Sequence, residues 1–149
     1  MSFDTLVLDA NILIRAVLGK RVRDLIMTYS ESVEFFIPDI CVEDANKYLP
    51  ILFEKRDMPV QLALEVFSNI KRMLQVIDKN IYQVYATEAQ KRMKNRDVYD
   101  WPVVATALTF NCSIWTEDQD FFGSGIPTWT TDRIHIFFEA VINESVEVD

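Results

Sequence analysis

Short apolar runs alternate along the chain with longer stretches in which apolar residues recur at helical spacing. The short runs predict β-strands over residues 5–8, 34–37, 75–77, 113–116 and 127–130. The longer stretches predict helices over residues 12–30, 40–50, 57–74 and 80–94, from residue 101, and from residue 133. Strands that alternate with helices form a parallel sheet covered by helices. We therefore expect an α/β fold, a three-layer α/β/α sandwich whose sheet has four or five mostly parallel strands.

Punctuating residues and chain length set the expected boundaries. Gly19 interrupts the first helical stretch, Pro50 is expected to bend or end the next one, and Asp78 is expected to cap the helix over residues 80–94. The chain has 149 residues, which suffices for one compact domain and not for two ordinary ones. We expect a single domain over residues 1–142, followed by an acidic C-terminal tail over residues 143–149.

Composition narrows the class of protein. Half of the residues are hydrophobic and only three are glycine, which is typical of a well-packed globular domain. No apolar run approaches the ~18 residues that a membrane span needs, and the N-terminus does not resemble a signal peptide, so a cytoplasmic location is expected. The two cysteines form no CxxC pair and there is one histidine, which argues against a zinc site.

The net charge of −8 argues, by itself, against a protein that binds nucleic acid. That argument weakens if several of the 23 acidic residues converge on a metal ion, because the ion then neutralises them.

Four acidic residues are expected to meet at one edge of the sheet. Asp9 directly follows the first predicted strand, and Asp118 comes just after the strand that ends at residue 116. Glu43 lies in the first turns of the helix after the second strand, and Asp100 begins an apolar helix. The carboxyl ends of parallel strands and the N-termini of the helices that follow them share one edge, where ligands bind. Each acid alone is explained as well by a helix cap or a turn, so only their conjunction predicts a site.

Clustered carboxylates repel one another unless a cation lies among them. Hard oxygen ligands without histidine or cysteine suit Mg²⁺ or Mn²⁺. Such ions activate water and offset charge on a phosphate, so the expected reaction is phosphodiester hydrolysis.

The same residues resemble the motifs of the PIN domain family, especially the VapC-like toxin nucleases of toxin–antitoxin pairs. The likeness runs from about residue 6 to residue 131, and Asp9, Glu43, Asp100 and Asp118 fall on the family's four acidic positions. The matching stretches are 6–14, 36–43, 100–108 and 115–121. The resemblance implies a Mg²⁺- or Mn²⁺-dependent endoribonuclease that cleaves single-stranded RNA. It also implies inhibition by a cognate antitoxin and a homodimer.

Three of these assignments have neighbouring alternatives. Asp44 follows Glu43, and on a helix the two point about 100° apart, so only one of them faces the site. Asp97 precedes Asp100 by one helical turn and is a candidate for a further metal ligand. Asp120 competes with Asp118, which we place first because it follows the strand more closely.

The working hypothesis gives the four acids different tasks. Asp9, Glu43 and Asp100 hold one metal ion, while Asp118 helps to hold a second ion or orients water. Asn11 and Thr116 support these ligands or contact the phosphate, and cleavage leaves a 5′-phosphate and a 3′-hydroxyl. The candidates for contacting the RNA backbone are basic residues, namely Lys20, Arg21, Arg23, Lys94 and Arg96.

Three other functions compete with this one. An inactive PIN-like module would bind RNA or protein without cleaving RNA. A metal-dependent phosphatase also places an aspartate after its first strand, although Asn11 stands here where many such enzymes have a second acid. A DNA nuclease uses the same metal chemistry.

Overall fold

The computed structural model of the chain describes the backbone of residues 4–148 and the side chains of residues 4–144. The strands are β1 (Thr5–Leu8), β2 (Glu34–Pro38), β3 (Leu74–Ile77), β4 (Ser113–Trp115) and β5 (Thr128–Trp129). The α-helices are α1 (Ala10–Leu18), α2 (Lys20–Tyr29), α3 (Asp39–Lys55), α4 (Val60–Arg72), α5 (Lys79–Tyr82), α6 (Ala86–Arg92), α7 (Trp101–Phe110) and α8 (Ile134–Val148). None of the helices in the described residues combines the length and apolarity needed to cross a bilayer.

All five strands form one parallel sheet in the order β3-β2-β1-β4-β5. Helix α1 contacts α2, α3 and α4, whereas α7 contacts the sheet, α5 and α6. The three-layer α/β/α sandwich with a parallel sheet, which the sequence predicts, is therefore confirmed. The chain leaves β1 toward β2 on one side and returns to β4 on the other. The carboxyl ends of β1 and β4 consequently border the crevice where α/β folds bind ligands.

The central strand and helix are apolar because both are covered on nearly every side. All four residues of β1 are buried, as expected for a strand with helices on both faces of its sheet. Six residues of α7 are buried, and its Thr106 hydroxyl donates to the carbonyl of Pro102 at 2.8 Å, so this polar group is satisfied inside the helix. Asn111 ends α7 in the left-handed conformation, at φ 51°.

The structure corrects two expected helix boundaries. Pro50 does not end its helix, because α3 continues to Lys55, and the exposed position of this proline keeps its ring out of the core. The helix expected over residues 80–94 is divided into α5 and α6 by the 3₁₀ turn Gln83–Tyr85. Asp78 caps α5 as expected, accepting a hydrogen bond from the Asn80 N–H at 2.8 Å.

The last helix extends into the stretch that the sequence assigns to a tail. Helix α8 reaches Val148, five residues beyond Asn143, whereas the side chains of residues 145–149 lie outside the described part. The division into a domain over residues 1–142 and an acidic tail stays a prediction.

A cluster of aromatic rings fastens α8 to the sheet. The Phe138 ring stacks on Tyr29 of α2 at 4.1 Å and meets the edges of Phe35 and Trp115 at 6.2 and 5.9 Å. Phe138 is fully buried. Because Trp115 is the last residue of β4, this cluster also supports the strand end that carries the candidate site.

Truncating the Phe138 side chain should therefore lower the free energy of unfolding more than truncating an exposed ring. We expect Phe138→Ala to lower the free energy of unfolding by about 3–5 kcal/mol, because it removes buried area and leaves a cavity. Phe122→Ala, at a ring that is 43% exposed, should cost less than about 1 kcal/mol. Urea denaturation of the two variants measures both values, and equal losses would contradict this account of the core.

Candidate active site

The hydroxyl of Thr116 joins the ends of the two central strands. Asp9 follows β1 and is only 5% exposed, and its Oδ1 accepts a hydrogen bond from the Ile12 N–H at 3.0 Å. Its Oδ2 accepts a hydrogen bond from the Thr116 hydroxyl, whose oxygen in turn accepts the Asp118 N–H at 2.9 Å. One side chain thus fixes Asp9 and Asp118 relative to each other.

Two aspartate-capped turns bring a second pair of acids to the same place. Asp97 and Asp118 each accept a hydrogen bond from the backbone N–H two residues further on, at 3.1 and 2.9 Å. Each cap starts a 3₁₀ turn, and these turns carry Asp100 and Asp120. Carboxylate oxygens of Asp97, Asp100 and Asp120 all lie within 4.8 Å of one another. The two turns therefore form one oxygen-rich cluster from separate parts of the chain.

A pocket of about 250 Å³ opens over this cluster. We call it the acid pocket, and the acidic residues that line it are Asp9, Asp44, Asp97, Asp100 and Asp118. Glu43 lines a different pocket, of about 410 Å³, together with Asp39 and Lys79. Adjacent residues of a helix point about 100° apart, so α3 presents Asp44 to the acid pocket and Glu43 to its neighbour.

Burial and mutual repulsion disfavour the ionised form of two of these acids. Burial, and then the charges of Asp97, Asp118, Asp9 and Asp120, raise the pKa of Asp100 to about 7. Burial also raises the pKa of Asp9 to about 6, with a smaller contribution from Asp118 and against the hydrogen bonds from Thr116 and the Ile12 N–H. At neutral pH the carboxylates of the pocket therefore repel one another, with no positive charge among the residues that line it.

The donor set fits a hard divalent cation. Oδ2 of Asp100 is buried and has no hydrogen-bond partner among the described residues. A buried polar atom without a partner is costly, and a cation beside it would remove that cost. The pocket offers carboxylate oxygens, with no histidine on its wall, which matches the preference of Mg²⁺ and Mn²⁺ rather than that of Zn²⁺.

The cysteine on the pocket wall is not a nucleophile. Cys41 is buried, and burial followed by the charge of Asp9 raises the pKa of its thiol well above the usual value. Burial likewise raises the pKa of Cys112 to about 12, and neither cysteine forms a disulfide. Burial therefore favours the protonated thiol at both positions.

Two arginines tie the segment before Asp97 to the loop after Asp120. Arg92 of α6 donates from Nη1 to the carbonyl of Ser124 at 3.0 Å, and its Nε donates to Glu88 at 3.0 Å. The guanidinium of Arg96 lies against Gly123, at φ +92°, where a Cβ would collide with it. These contacts hold the two acid-bearing turns together, and they place Arg96 against the protein's own loop.

Most of the site residues predicted from the sequence lie together. Asp9, Asp97, Asp100, Asp118 and Asn11 line the acid pocket, Asp120 joins the carboxylate cluster, and Thr116 lies behind them. Glu43 does not line the acid pocket, whereas its neighbour Asp44 does. The sequence signal for this difference was the rotation of about 100° between adjacent residues of α3.

Sequence reasoning missed two aromatic side chains at this pocket. Tyr99 is 87% exposed and Tyr48 is 47% exposed, and both line the acid pocket. The signal for Tyr99 was its place between Asp97 and Asp100. Tyr48 follows Asp44 by four residues and so lies on the same face of α3.

The five basic residues predicted to contact RNA lie in different surroundings. Lys20 and Arg21 line a groove described below, and Lys94 is exposed. Arg23 instead donates to the carbonyls of Ala16 and Val17 near the end of α1, at 3.5 and 3.4 Å. Contacts of any of them with RNA stay a prediction.

Comparison with known families gives one match that covers most of the chain. Residues 7–139 match the PIN domain family. The chain belongs to the PIN domain family. Proteins of this family are metal-dependent nucleases, and the clustered carboxylates of this PIN domain are of the kind that such chemistry requires. The resemblance inferred from the four acidic motifs is thereby confirmed.

Solved structures share the fold at low sequence identity. VapBC2 from Rickettsia felis, bound to a DNA fragment from their promoter, matches with a TM-score of 0.65 and 12% identity, over 85% of this PIN domain chain and 98% of that chain. PAE2754 from Pyrobaculum aerophilum matches with a TM-score of 0.62 and 14% identity, over 93% and 97% of the two chains. A comparison with curated proteins found no match. At these identities the structures support the fold alone.

The raised pKa values predict how stability depends on pH when no divalent cation is present. Asp100 titrates near 7 in the folded chain and near its ordinary value of 3.8 when unfolded, so the folded state binds its proton more tightly. Asp100 should therefore destabilise the fold progressively as pH rises from about 4 to about 7, with no further change above that. Asp100→Asn should remove this loss.

Urea unfolding in EDTA across that pH range measures the effect as the difference between wild type and Asp100→Asn. The difference should grow from pH ~4 to ~7 and then level off. Asp24→Asn, at an exposed helix position, is the matched control and should parallel the wild type. A difference between wild type and Asp100→Asn that does not change with pH would contradict the electrostatic description of the pocket.

Proposed function

We propose that this PIN domain is an endoribonuclease that uses Mg²⁺ or Mn²⁺ to hydrolyse phosphodiester bonds of single-stranded RNA. The observation that carries the proposal is the acid pocket itself. Carboxylates from four separate parts of the chain gather there, and one buried carboxylate oxygen, Oδ2 of Asp100, has no partner among the described residues. Membership of the PIN domain family supports the same reaction class.

The acidic residues have different roles in this proposal, according to their positions in the site. Asp97, Asp100 and Asp120 would hold the cation, since their oxygens already lie within 4.8 Å of one another. A cation held there would offset the charge that develops on the phosphate. Asp9, held by Thr116, and Asp44 on the facing helix complete the anionic wall and supply further ligands or hold water.

The scissile phosphate is positioned by groups at the mouth of the pocket. Asn11 is exposed and lines the mouth, where its side-chain amide can donate to a phosphate oxygen. Asp118 uses Oδ1 to accept its own turn's N–H, which leaves Oδ2 to accept the proton of the attacking water. The bond that breaks joins phosphorus to the 3′ oxygen, which takes a proton from solvent as it leaves, so the products carry a 5′-phosphate and a 3′-hydroxyl.

The rim of the pocket favours a nucleic acid with unpaired bases over a small phosphate ester. Tyr99 and Tyr48 both border the carboxylates and expose much of their rings. Bases that are not paired stack on such rings, with each stacked base worth about 1–3 kcal/mol. A small phosphate ester has no neighbouring bases that could stack on two rings at the mouth of the pocket.

The wider biological role follows from the family resemblance. We propose that the chain is the toxin of a toxin–antitoxin pair, that a cognate antitoxin protein inhibits it, and that it acts in the cytoplasm as a homodimer. A structure that shares its fold is VapBC2 bound to a DNA fragment from their promoter, which supports this context.

Cleavage assays with matched variants test the proposal. Wild type should cut single-stranded RNA only when Mg²⁺ or Mn²⁺ is added, and EDTA should stop it. Asp100→Asn and Asp44→Asn should each lower the rate by more than about 100-fold, because even residues behind a metal's ligands cost about 10- to 100-fold. Glu43→Gln should cleave at close to the wild-type rate, because Glu43 lines a separate pocket.

The adjacent pair Asp44 and Glu43 provides its own control, since each change removes one charge from an exposed position of the same helix. Parallel reactions on single-stranded DNA and on a small phosphate ester separate the competing activities. Faster turnover of DNA than of RNA would make the protein a DNA nuclease, and faster turnover of the phosphate ester would make it a phosphatase. No cleavage of any of the three substrates with Mn²⁺ present would make the chain a binding module, and loss of activity in Glu43→Gln alone would restore Glu43 as the second acid.

A further inference from the structure

A second depression in the surface lies beside the acid pocket and carries the opposite charge. Its volume is about 570 Å³, and basic side chains from α1, from α2 and from the end of α3 line it. We call it the arginine groove, after its basic residues Arg15, Lys20, Arg21 and Arg56. Arg15 and Arg56 were not singled out from the sequence, because they are 41 positions apart, Arg15 has no basic neighbour and only Lys55 adjoins Arg56.

A saddle joins the arginine groove to the acid pocket. The saddle has a volume of about 280 Å³ and is lined by Asn11, Ile14, Arg15, Glu117 and Asp118. It shares Asn11 and Asp118 with the acid pocket, and it shares Arg15 and Glu117 with the arginine groove. A strand whose phosphate lies among the carboxylates can therefore continue past Arg15 into the groove.

Several charges in and beside the groove already have partners within the chain. Arg21 pairs with Asp132 at 3.1 Å, and Lys20 faces Asp24 at 4.0 Å on the surface. The carboxylate of Glu117 accepts a hydrogen bond from a backbone N–H of the loop before α8 at 2.6 Å. These contacts reduce the capacity of the paired groups to bind a ligand.

Arg15 and Arg56 differ from the other basic residues of the groove. Within the part of the chain whose side chains are described, neither guanidinium group has a hydrogen bond or an ion pair. The chain has eight more acids than bases, yet these two arginines, in a groove that adjoins the acid pocket, are left available for an external anion. The planar fork of arginine matches phosphate oxygens in particular.

We propose that the arginine groove binds the phosphodiester backbone of the RNA strand beyond the scissile bond, an inference that rests on the proposed function. Arg15, on the saddle, contacts the phosphate nearest to the cleaved one, and Arg56 contacts a phosphate further along the strand. Leu18, Val22 and Leu52 also line the groove and would offer apolar surface to sugars and bases. The groove adds affinity and sets the register of the strand without reading its sequence.

Binding measurements on arginine variants test this inference. Arg15→Gln and Arg56→Gln are made in an Asp100→Asn background, so that the RNA stays intact. Fluorescence anisotropy then follows a labelled single-stranded RNA of about 12 nucleotides, a length within the usual site size. Each change should weaken binding at low salt about tenfold. Each should also make the slope of log K against log salt shallower by about 0.7, the contribution of one phosphate contact on a single strand.

Arg72→Gln in the same background is the matched control. Arg72 is an exposed arginine in the last turn of α4 and lies outside the acid pocket, the saddle and the groove. This variant should keep the affinity and the salt slope of its parent. In the cleaving protein, the effect of Arg56→Gln on kcat/KM should vanish when the RNA is shortened to a dinucleotide, which is too short to reach Arg56.

The outcomes separate this inference from the proposed function. If wild type cleaves RNA while both arginine variants keep the parental salt slope, the groove assignment is wrong and the nuclease assignment stands. If wild type cleaves no RNA, the proposed function itself is wrong. If both variants bind RNA normally but escape inhibition by a co-expressed partner protein, the groove is a protein-docking surface and the inference is overturned.

Discussion

Repulsion among carboxylates at the carboxyl edge of the sheet is the constraint on which the rest of the site depends. Asp9 and Asp100 lose solvent and face the charges of their acidic neighbours, and their pKa values rise to about 6 and about 7. An arrangement of this kind persists only because the surrounding fold over-determines it. The aromatic cluster under β4, the Thr116 hydroxyl and the contacts of Arg92 and Arg96 supply that rigidity.

The distribution of charge reconciles an acidic chain with an anionic substrate. The net charge of −8 would repel RNA if it were spread evenly. Instead several acids surround one pocket, where a divalent cation would offset them, and Arg15 and Arg56, which have no side-chain partner among the described residues, lie in the adjoining groove. The arginine groove thus differs in sign from the chain as a whole, and the folded structure places it beside the acid pocket.

Sequence reasoning reached the fold and most of the acid cluster for a simple physical reason. Asp9 and Asp118 follow strands and Asp100 begins a buried helix, and parallel topology fixes where such positions meet. The choice between Glu43 and Asp44 depended on the phase of α3, which a shift of one residue rotates by about 100°. The basic run in the sequence pointed to Lys20 and Arg21, which line the arginine groove, but Arg15 and Arg56 lie elsewhere along the chain and no local pattern joined them to that pair.

The central claim is that these carboxylates form one site for a divalent cation. Anomalous diffraction from crystals of the wild-type protein soaked in Mn²⁺ tests it most directly. The account predicts manganese density within the acid pocket, in contact with Oδ2 of Asp100 and with oxygens of Asp97 or Asp120. Density only in the pocket beside Glu43, or none near the carboxylates at saturating Mn²⁺, would contradict it.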